Sequence, residues 1–302
     1  FIEPLAVVEQ NNLLVELEAA QRQEEERILR SLTTLLGSEA ERLQLTLQRM
    51  GRLEAVRAGL ELGAAWDGTI PLLRDSPSFG LRALRHPLLV LRHGSAVVAN
   101  DLALGSEAKQ LLITGPNTGG KSALLKAVGL VHLAGYLGLP IPAEGELGYF
   151  SSLYAVIGDA QDLQADLSSF SGQMRQVRDI LAQATSNSLI LLDELGNGTD
   201  PREGAALAQA VAASLRDRGV VTILTSHMAV LKRYALREDG VLLAGMGFDI
   251  EQLRPTYRLQ LGRAGASQGL LIARKIGLPD QVMALADAIH SGEQEHWESW
   301  ED

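Results

Sequence analysis

The chain of 302 residues contains no cysteine, few aromatic residues and no long apolar stretch. Because cysteine is absent, disulfide bonds, a thiol nucleophile and a zinc–thiolate site are excluded. No apolar run approaches the roughly 20 residues of a membrane-spanning helix, and no charged-then-apolar leader opens the sequence. We therefore expect a cytoplasmic protein with no membrane partner.

An excess of positive charge is also absent, since the formal net charge is −10 at pH 7. Six acidic residues lie between Asp287 and Asp302, and the rest of the chain carries only −4. Phosphate groups respond to local charge rather than to the total, so a nearly neutral body can still present a basic surface. The charge balance therefore does not exclude nucleic acid as a partner.

The first sixty residues contain almost no glycine and are predicted to be helical. Apolar residues recur mostly at helical spacing across residues 11–60. Gly37 is predicted to end the first helix, and Ser38 followed by Glu41 fits a capping box for a second. We therefore predict an α-helical hairpin over residues 1–65. It could be a packed bundle fragment or a lever that transmits motion, and periodicity does not separate the two.

The pattern changes from about Trp66, where short β-rich runs begin to alternate with helical patterns. This alternation predicts an α/β fold with a mostly parallel sheet covered by helices, over residues 66–289. A final helix is predicted to end at about Ile289, and residues 290–302 are predicted to form an acidic tail. The predicted strands are Leu111–Thr114, Ser188–Leu192, Val220–Thr225, Val241–Ala244 and Thr256–Leu261.

A phosphate-loop pattern lies between the first of these strands and a helical run. Its glycines allow backbone N–H groups to converge on phosphate oxygens, and the helix start adds a partial positive charge. Lys121 would neutralise the β- and γ-phosphates, and Ser122 would place a hydroxyl on Mg²⁺. The alternative, a glycine-rich turn before a helix, fits this context less well. The predicted ATP-binding residues of the loop are Gly115, Pro116, Asn117, Thr118, Gly119, Gly120, Lys121 and Ser122.

Two adjacent carboxylates follow the apolar strand Ser188–Leu192. Asp193 is suited to an outer-sphere hold on Mg²⁺. Glu194, which would point to the other side of the pleat, is suited to polarising the attacking water. Such a pair is common after an apolar strand, but downstream of a phosphate loop it indicates a hydrolysing ATPase rather than a small-molecule kinase.

A histidine and a serine-rich segment complete the pattern. A lone residue such as His227 is usually structural, but at the end of the strand after the carboxylates it could sense the γ-phosphate. Ser168 and Ser169 precede a helical run, where hydroxyls and free N–H groups form an anion site. In isolation this is only a helix cap. Between a phosphate loop and its partner strand it resembles the signature segment of ABC-type ATPases, which completes the neighbouring subunit's site.

The order of these motifs resembles the MutS ATPase family, and finer details resemble its second bacterial branch, MutS-two. The resemblance covers nearly the whole chain. Its motifs include Arg85-His86-Pro87, the phosphate loop, Ser168 to Phe170, Leu192 to Pro201 and Thr225 to His227; the branch-specific details are Thr118, Gly198 to Gly204, Leu253 to Arg258 and Ser267. The chain departs from the family pattern at Asn197, where an alanine or similar residue is usual, and at Ala160, where glutamate is usual.

The resemblance implies an ABC-type ATPase domain preceded by lever helices. In a homodimer, two ATP molecules would each be held between one subunit's phosphate loop and the other's Ser168 and Ser169. The implied catalytic residues are Glu194, His227 and Lys121, and the implied Mg²⁺ residues are Ser122 and Asp193. The adenine would lie near Val97 and Val98.

Family members also contain an upstream helical core and usually a C-terminal Smr nuclease domain. No Smr-type segment follows Gly277, so we expect this chain to be a fragment whose nuclease activity lies elsewhere. The family association implies branched DNA intermediates of recombination, stalled ribosomes, or both as partners. The alternatives are a structural DNA clamp with ATP-gated dimerisation and little turnover, a mismatch-repair-type MutS ATPase, a transporter ATPase and a metabolic kinase.

Overall fold

The computed structural model describes residues 5–158, 166–263 and 269–298. The chain divides into two compact units, Phe1–Gly59 and Leu60–Asp302. Helix α1 (Leu5–Ser38) lies in the first unit, and helix α2 (Ala40–Trp66) begins there and continues into the second.

The two long helices predicted from the sequence are present, with Glu39 alone between them. The predicted capping box is wrong, because the Ser38 hydroxyl donates to the carbonyl of Leu35 at 2.7 Å. It therefore satisfies a carbonyl at the end of α1 and does not cap α2. Helix α1 also continues one residue beyond Gly37, the predicted stop.

No described side chain between residues 7 and 58 is buried. The leucines that create the helical periodicity are exposed, as at Leu29, Leu47 and Leu53. Among the described residues of the first unit, no neighbouring element covers these apolar side chains. Both the packed bundle fragment and the lever therefore stay predictions.

The second unit is built from two sheets and the helices around them. Its strands are β1 (Leu72–Arg74), β2 (Phe79–Leu84), β3 (Asn100–Leu104), β4 (Gln110–Thr114), β5 (Glu144–Gly148), β6 (Ser152–Val156), β7 (Ser188–Leu192), β8 (Val221–Ser226), β9 (Val241–Asp249) and β10 (Arg254–Leu261). Its further helices are α3 (Pro87–His93), α4 (Lys121–Tyr136), α5 (Asp166–Gln183), α6 (Pro201–Asp217), α7 (Ala229–Arg237), α8 (Gly269–Ile276) and α9 (Asp280–Glu298).

Within the described residues, the larger sheet has six strands in the order β10-β9-β4-β8-β7-β6. All of its neighbouring pairs are parallel except β9 and β10. The prediction of a mostly parallel sheet in an α/β fold is thus confirmed, and the five predicted strands all belong to this sheet. Strand β6 was not predicted.

Both faces of the larger sheet are covered, as expected for parallel strands. Along β7, Leu189 and Leu191 join one buried apolar cluster, whereas Ile190 and Leu192 join the other. Alternate residues of β7 therefore pack into apolar clusters on opposite faces of the sheet, and this packing fixes the positions of the strand ends.

The smaller sheet was not predicted. It has four strands in the order β1-β5-β2-β3, and only the β1–β5 pair is parallel. Its strands are short and include charged residues and glycines, as in Glu144–Gly148, so they lack a clear alternation of apolar and polar residues.

The last helix is longer than predicted. Helix α9 runs to Glu298 rather than ending at about Ile289. The stretch after Ile289 contains one glycine and no proline, so it has no strong helix breaker. Helix therefore replaces most of the predicted acidic tail.

Candidate nucleotide-binding site

Three of the predicted motifs emerge at one edge of the larger sheet. Strand β8 lies between β4 and β7 and is parallel to both, with Thr114 opposite Ser226 and Leu192 opposite Leu224. Because the carboxyl ends of parallel strands meet at one edge, the segments after β4, β7 and β8 are neighbours. The phosphate loop, the carboxylate pair and His227 occupy those segments.

The phosphate loop curls tightly between β4 and α4. Gly115 has φ +136° and Gly120 has φ +90°, both in the region that favours glycine. A Cβ atom on Gly120 would lie 3.0 Å from Cδ1 of Tyr257, and one on Gly115 would lie 3.3 Å from Cβ of Met246. The loop therefore has the backbone shape and the glycine dependence of a phosphate cradle that ends at a helix N-terminus.

Lys121 opens helix α4, and its side chain is only 1% exposed. Its Nζ donates to the Gly115 carbonyl at 2.7 Å and lies 3.3 Å from Oε1 of Glu194. A buried ammonium group needs such partners, because an unpaired charge is costly to bury. The structure thus joins the phosphate loop to the carboxylate segment.

Thr225, near the end of β8, holds the two residues after β7. Its hydroxyl donates to Oδ1 of Asp193 and accepts from the backbone N–H of Glu194 at 3.0 Å. Asp193 is 5% exposed. This threonine was not predicted as a site residue, although it belongs to the Thr225-Ser-His227 motif.

The pleat does not set the direction of Glu194, contrary to the expectation from the sequence. Strand β7 ends at Leu192, and Glu194 has φ +46°, a left-handed conformation uncommon for residues other than glycine. The carboxylate reaches Lys121 with Oε1, while Oε2 accepts from Nδ2 of Asn197 at 2.7 Å. Both contacts lie at the phosphate-loop edge of the sheet.

A cavity of about 580 Å³ has Val97 and Val98 in its lining. Arg85, Arg258, Asp67 and Glu144 also line it, so it offers apolar surface together with charged groups of both signs. Its size is within the range of small-molecule sites. The two valines predicted to lie near adenine therefore face a cavity able to hold a small ligand.

Tyr257, beside Arg258, was not predicted as a site residue. The side chain of Asn100 fixes this segment, because its Nδ2 donates to the Tyr257 carbonyl at 3.1 Å and its Oδ1 accepts from Leu259 N–H at 2.6 Å. Tyr257 has φ +57°, and its ring faces Gly120 of the phosphate loop. In the sequence this stretch contributed only to the family resemblance.

The remaining predicted residues lie after β8 and at the start of α5. His227 is exposed and follows the end of β8. Ser168 and Ser169 lie in the first turn of α5, but their side chains, like that of Asn117, fall outside the described part of the structure. From the same helix, the Gln173 side chain donates to the Asp193 carbonyl at 3.3 Å and accepts from the N–H of Gly196 at 3.4 Å.

Across the described ranges, no group of three or more histidine, aspartate and glutamate residues could hold a metal ion. Mg²⁺ is commonly bound by one or two carboxylates together with substrate phosphates and water. Asp193 at the strand end and Ser122 at the start of α4 fit that mode of binding. None of the helices described here is both long enough and apolar enough to span a membrane.

In a comparison with known protein families, residues 111–293 match the model of MutS domain V. The chain is 43% identical over 285 residues to a protein named endonuclease MutS2 from Shouchella clausii, covering 94% of this chain and 36% of that protein. It is 42% identical to endonuclease MutS2 from Halothermothrix orenii, covering 97% and 37%, and 42% identical to that from Lachnospira eligens, covering 99% and 38%. The chain thus spans little more than a third of the length of these relatives.

Proposed function

This chain belongs to the MutS family and carries an ATPase domain of the MutS2 type, and on that premise we propose that it binds and hydrolyses ATP with Mg²⁺. The observation that supports this most is the 3.3 Å contact between Lys121 Nζ and Glu194 Oε1. It joins a phosphate-binding cation and a carboxylate suited to general-base work in one site.

Each residue at the sheet edge has a role in this proposal. Lys121 neutralises charge on the β- and γ-phosphates, and the N–H groups of the loop and of the start of α4 bind their oxygens. Ser122 and Asp193 would hold Mg²⁺, which would supply positive charge to offset that of the phosphates. Asp193 accepts the hydroxyl of Thr225, which fixes the orientation of its carboxylate.

Glu194 polarises the attacking water, and His227 helps to position it. The carboxylate is 20% exposed, so water can reach it while Lys121 beside it is nearly inaccessible. A positioned general base typically contributes about 10²- to 10⁴-fold to a rate. His227 lies after the strand between the phosphate-loop strand and the Glu194 strand, which suits a residue that senses the γ-phosphate.

The base of the nucleotide occupies the cavity lined by Val97, Val98 and Arg258. The Tyr257 ring lies beside Gly120, so an aromatic group is next to the phosphate loop. Stacking on an aromatic ring is tolerant of base identity, so this contact supports binding rather than strict selection of adenine.

The active form is a homodimer in which Ser168 and Ser169 of one subunit complete the other's ATP site. This proposal rests on the order of the motifs and on the position of both serines in the first turn of α5. Branched DNA or stalled ribosomes would be partners of the longer protein. Nuclease activity, which the relatives' names state for them, is expected outside these residues.

Release of phosphate from Mg-ATP by the 302-residue chain tests the proposal. Lys121→Met should abolish turnover, whereas Lys126→Met, an exposed position on the same helix, should leave it intact. Omission of Mg²⁺ by chelation should stop the wild-type reaction. A wild-type chain that binds ATP but releases no phosphate would contradict the proposal; a single stoichiometric burst would instead favour the ATP-gated clamp.

The proposed partner can be tested with a labelled four-way DNA junction. Fluorescence anisotropy would follow binding by the Glu194→Gln variant with and without Mg-ATP, with linear duplex at the same salt as the control. Junction binding that tightens with ATP would support DNA as a direct partner. No binding in either state would contradict direct DNA recognition by these residues.

A further inference from the structure

Among the described residues, two groups contact the Glu194 carboxylate. Lys121 Nζ lies 3.3 Å from Oε1, and Nδ2 of Asn197 donates to Oε2 at 2.7 Å. The Asn197 contact is the shorter, and its donor is neutral. Asn197 is also a position at which this chain departs from the pattern of the family it resembles.

The loop that carries Asn197 has a tightly determined path. Gly196 and Gly198, on either side of it, have φ +87° and +89°. A Cβ on Gly196 would lie 2.3 Å from the carbonyl oxygen of Gly204 in α6, so the two backbones are in close contact there. The Gly196 N–H donates to the side chain of Gln173 in α5. Two helices therefore fix the loop, and the Asn197 amide is presented to Glu194 by rigid neighbours.

The two contacts respond differently to a bound phosphate. Phosphate oxygens compete with Glu194 for the ammonium of Lys121, because both are anionic partners of one cation. A neutral amide is a much weaker phosphate ligand than an ammonium and stays with the carboxylate. Once Lys121 binds phosphate, the hydrogen bond from Asn197 still orients Glu194, whereas the contact with Lys121 no longer does.

We propose that Asn197 is a positioning residue for hydrolysis, which holds the Glu194 carboxylate towards the water while Lys121 binds phosphate. The proposal rests on the proposed ATPase function. It deepens that function, since neither the phosphate-loop pattern nor the carboxylate pair implies a role for Asn197. The residue acts through Glu194 and contacts neither phosphate nor water itself.

Steady-state turnover and equilibrium ATP binding by the 302-residue chain test this role. Asn197→Ala should lower kcat roughly tenfold to a hundredfold, as expected for a misplaced catalytic group, while KM and the Kd for ATP stay within about twofold. In a Glu194→Gln background the same change should leave the residual rate unaltered, because its effect requires the carboxylate. The exposed Asn12→Ala serves as the matched control.

Asn197→Asp gives a readout that a merely structural role would not move. It keeps the size of the side chain but replaces the N–H donor to Glu194 with a carboxylate of like charge. If the side chain only filled space, Asn197→Asp would keep the wild-type kcat. Because the proposed role requires the donor, Asn197→Asp should instead lower kcat at least as far as Asn197→Ala does.

The proposal is overturned if Asn197→Ala turns over within about twofold of the wild type, if it loses ATP affinity in proportion to kcat, or if Asn197→Asp keeps the wild-type kcat. If wild type turns over, Glu194→Gln does not, and Asn197→Ala matches wild type, only the role of Asn197 fails. If wild type releases no phosphate, the proposed function fails, and the role of Asn197 fails with it.

Discussion

Lys121 Nζ and Glu194 Oε1 lie 3.3 Å apart, with the lysine side chain 1% exposed and the glutamate 20% exposed. The group proposed to bind phosphate is thus ion-paired with the group proposed to activate water. Because the lysine is almost completely shielded from solvent, the electrostatic attraction between these two groups is stronger than between two charges at an open surface. Any phosphate that reaches Lys121 competes with Glu194 for the ammonium group. Nucleotide binding is therefore linked to whether the Glu194 carboxylate is paired with Lys121.

This competition predicts that Glu194→Gln strengthens ATP binding. Removal of the negative charge frees the lysine for phosphate, and the amide occupies the same volume. We expect affinity to rise roughly threefold to tenfold, measured by isothermal titration calorimetry. Glu203→Gln, an acidic residue of the first turn of α6, is the control and should leave affinity unchanged. Weaker binding by Glu194→Gln would contradict competition within the pair.

The close contact between Gly196 and Gly204 predicts a large effect of a single methyl group. A Cβ on Gly204 would lie 2.1 Å from the Gly196 carbonyl oxygen. That oxygen belongs to the backbone, so it cannot move aside as the end of a flexible side chain could. Gly204→Ala should lower the free energy of unfolding by about 2–3 kcal/mol, as in overpacked cores.

Gly172→Ala is the matched control, because nothing lies within 4 Å of the added atom and the residue is inside α5. It should raise the free energy of unfolding by about 0.5–1 kcal/mol through helix propensity. Urea denaturation of both variants measures the difference. Equal unfolding midpoints would show that the close backbone approach does not constrain the loop.

Buried His132 predicts a loss of stability in acid. Its ring lies among Phe79 and Phe150, its Nδ1 bonds the carbonyl of Val128 at 2.8 Å, and burial lowers its pKa from 6.5 to about 4. As pH falls through 6.5, His132 becomes protonated in the unfolded chain, whereas in the folded chain it stays neutral down to about pH 4. The free energy of unfolding should therefore fall between pH 6.5 and 4, by about 3 kcal/mol for this residue, and change no further below that range.

Chemical denaturation across that pH range checks this expectation. His132→Phe keeps an aromatic ring in the cluster and removes the titrating group, so its stability should depend less on pH. The exposed His93→Gln should retain the wild-type dependence. Parallel stability curves for wild type and His132→Phe would rule out the buried imidazole as the cause.

The position of Tyr257 predicts a contact with the base that is independent of the phosphates. Tyr257→Ala should weaken ATP binding about tenfold by loss of stacking. It should leave the affinity for inorganic tripolyphosphate unchanged, because that ligand has no base. Competition with a fluorescent nucleotide measures both affinities. An equal loss for both ligands would place the effect of Tyr257 on the phosphate loop through Gly120 instead.

The larger sheet could be predicted because its strands carry strong local signals. Ser188–Leu192 is apolar throughout after its first residue, and its predicted bounds are those of β7. The strand before Gly115 is similarly marked by the phosphate-loop motif at its carboxyl end. The smaller sheet carries no such signal, since strands such as Phe79–Leu84 pair with distant segments and are only half buried.

The candidate site was predictable by residue type but not by geometry. The glycines of the phosphate loop and the carboxylate of Glu194 follow from motifs with a physical basis. The contacts of Asn197 and Tyr257 depend on left-handed backbone at Glu194 and at Tyr257 itself. No local sequence pattern predicts that conformation. Tertiary packing selects it, as the close approach of Gly196 to α6 illustrates.

We propose that Glu194 enables this chain to hydrolyse ATP bound at its phosphate loop. The most direct test is a single-turnover reaction, with the chain in excess over radiolabelled Mg-ATP, comparing wild type with Glu194→Gln. We expect the wild type to convert the nucleotide, and Glu194→Gln to convert it at a rate at least about 100-fold lower while binding it at least as tightly. Hydrolysis by Glu194→Gln at the wild-type rate would contradict it.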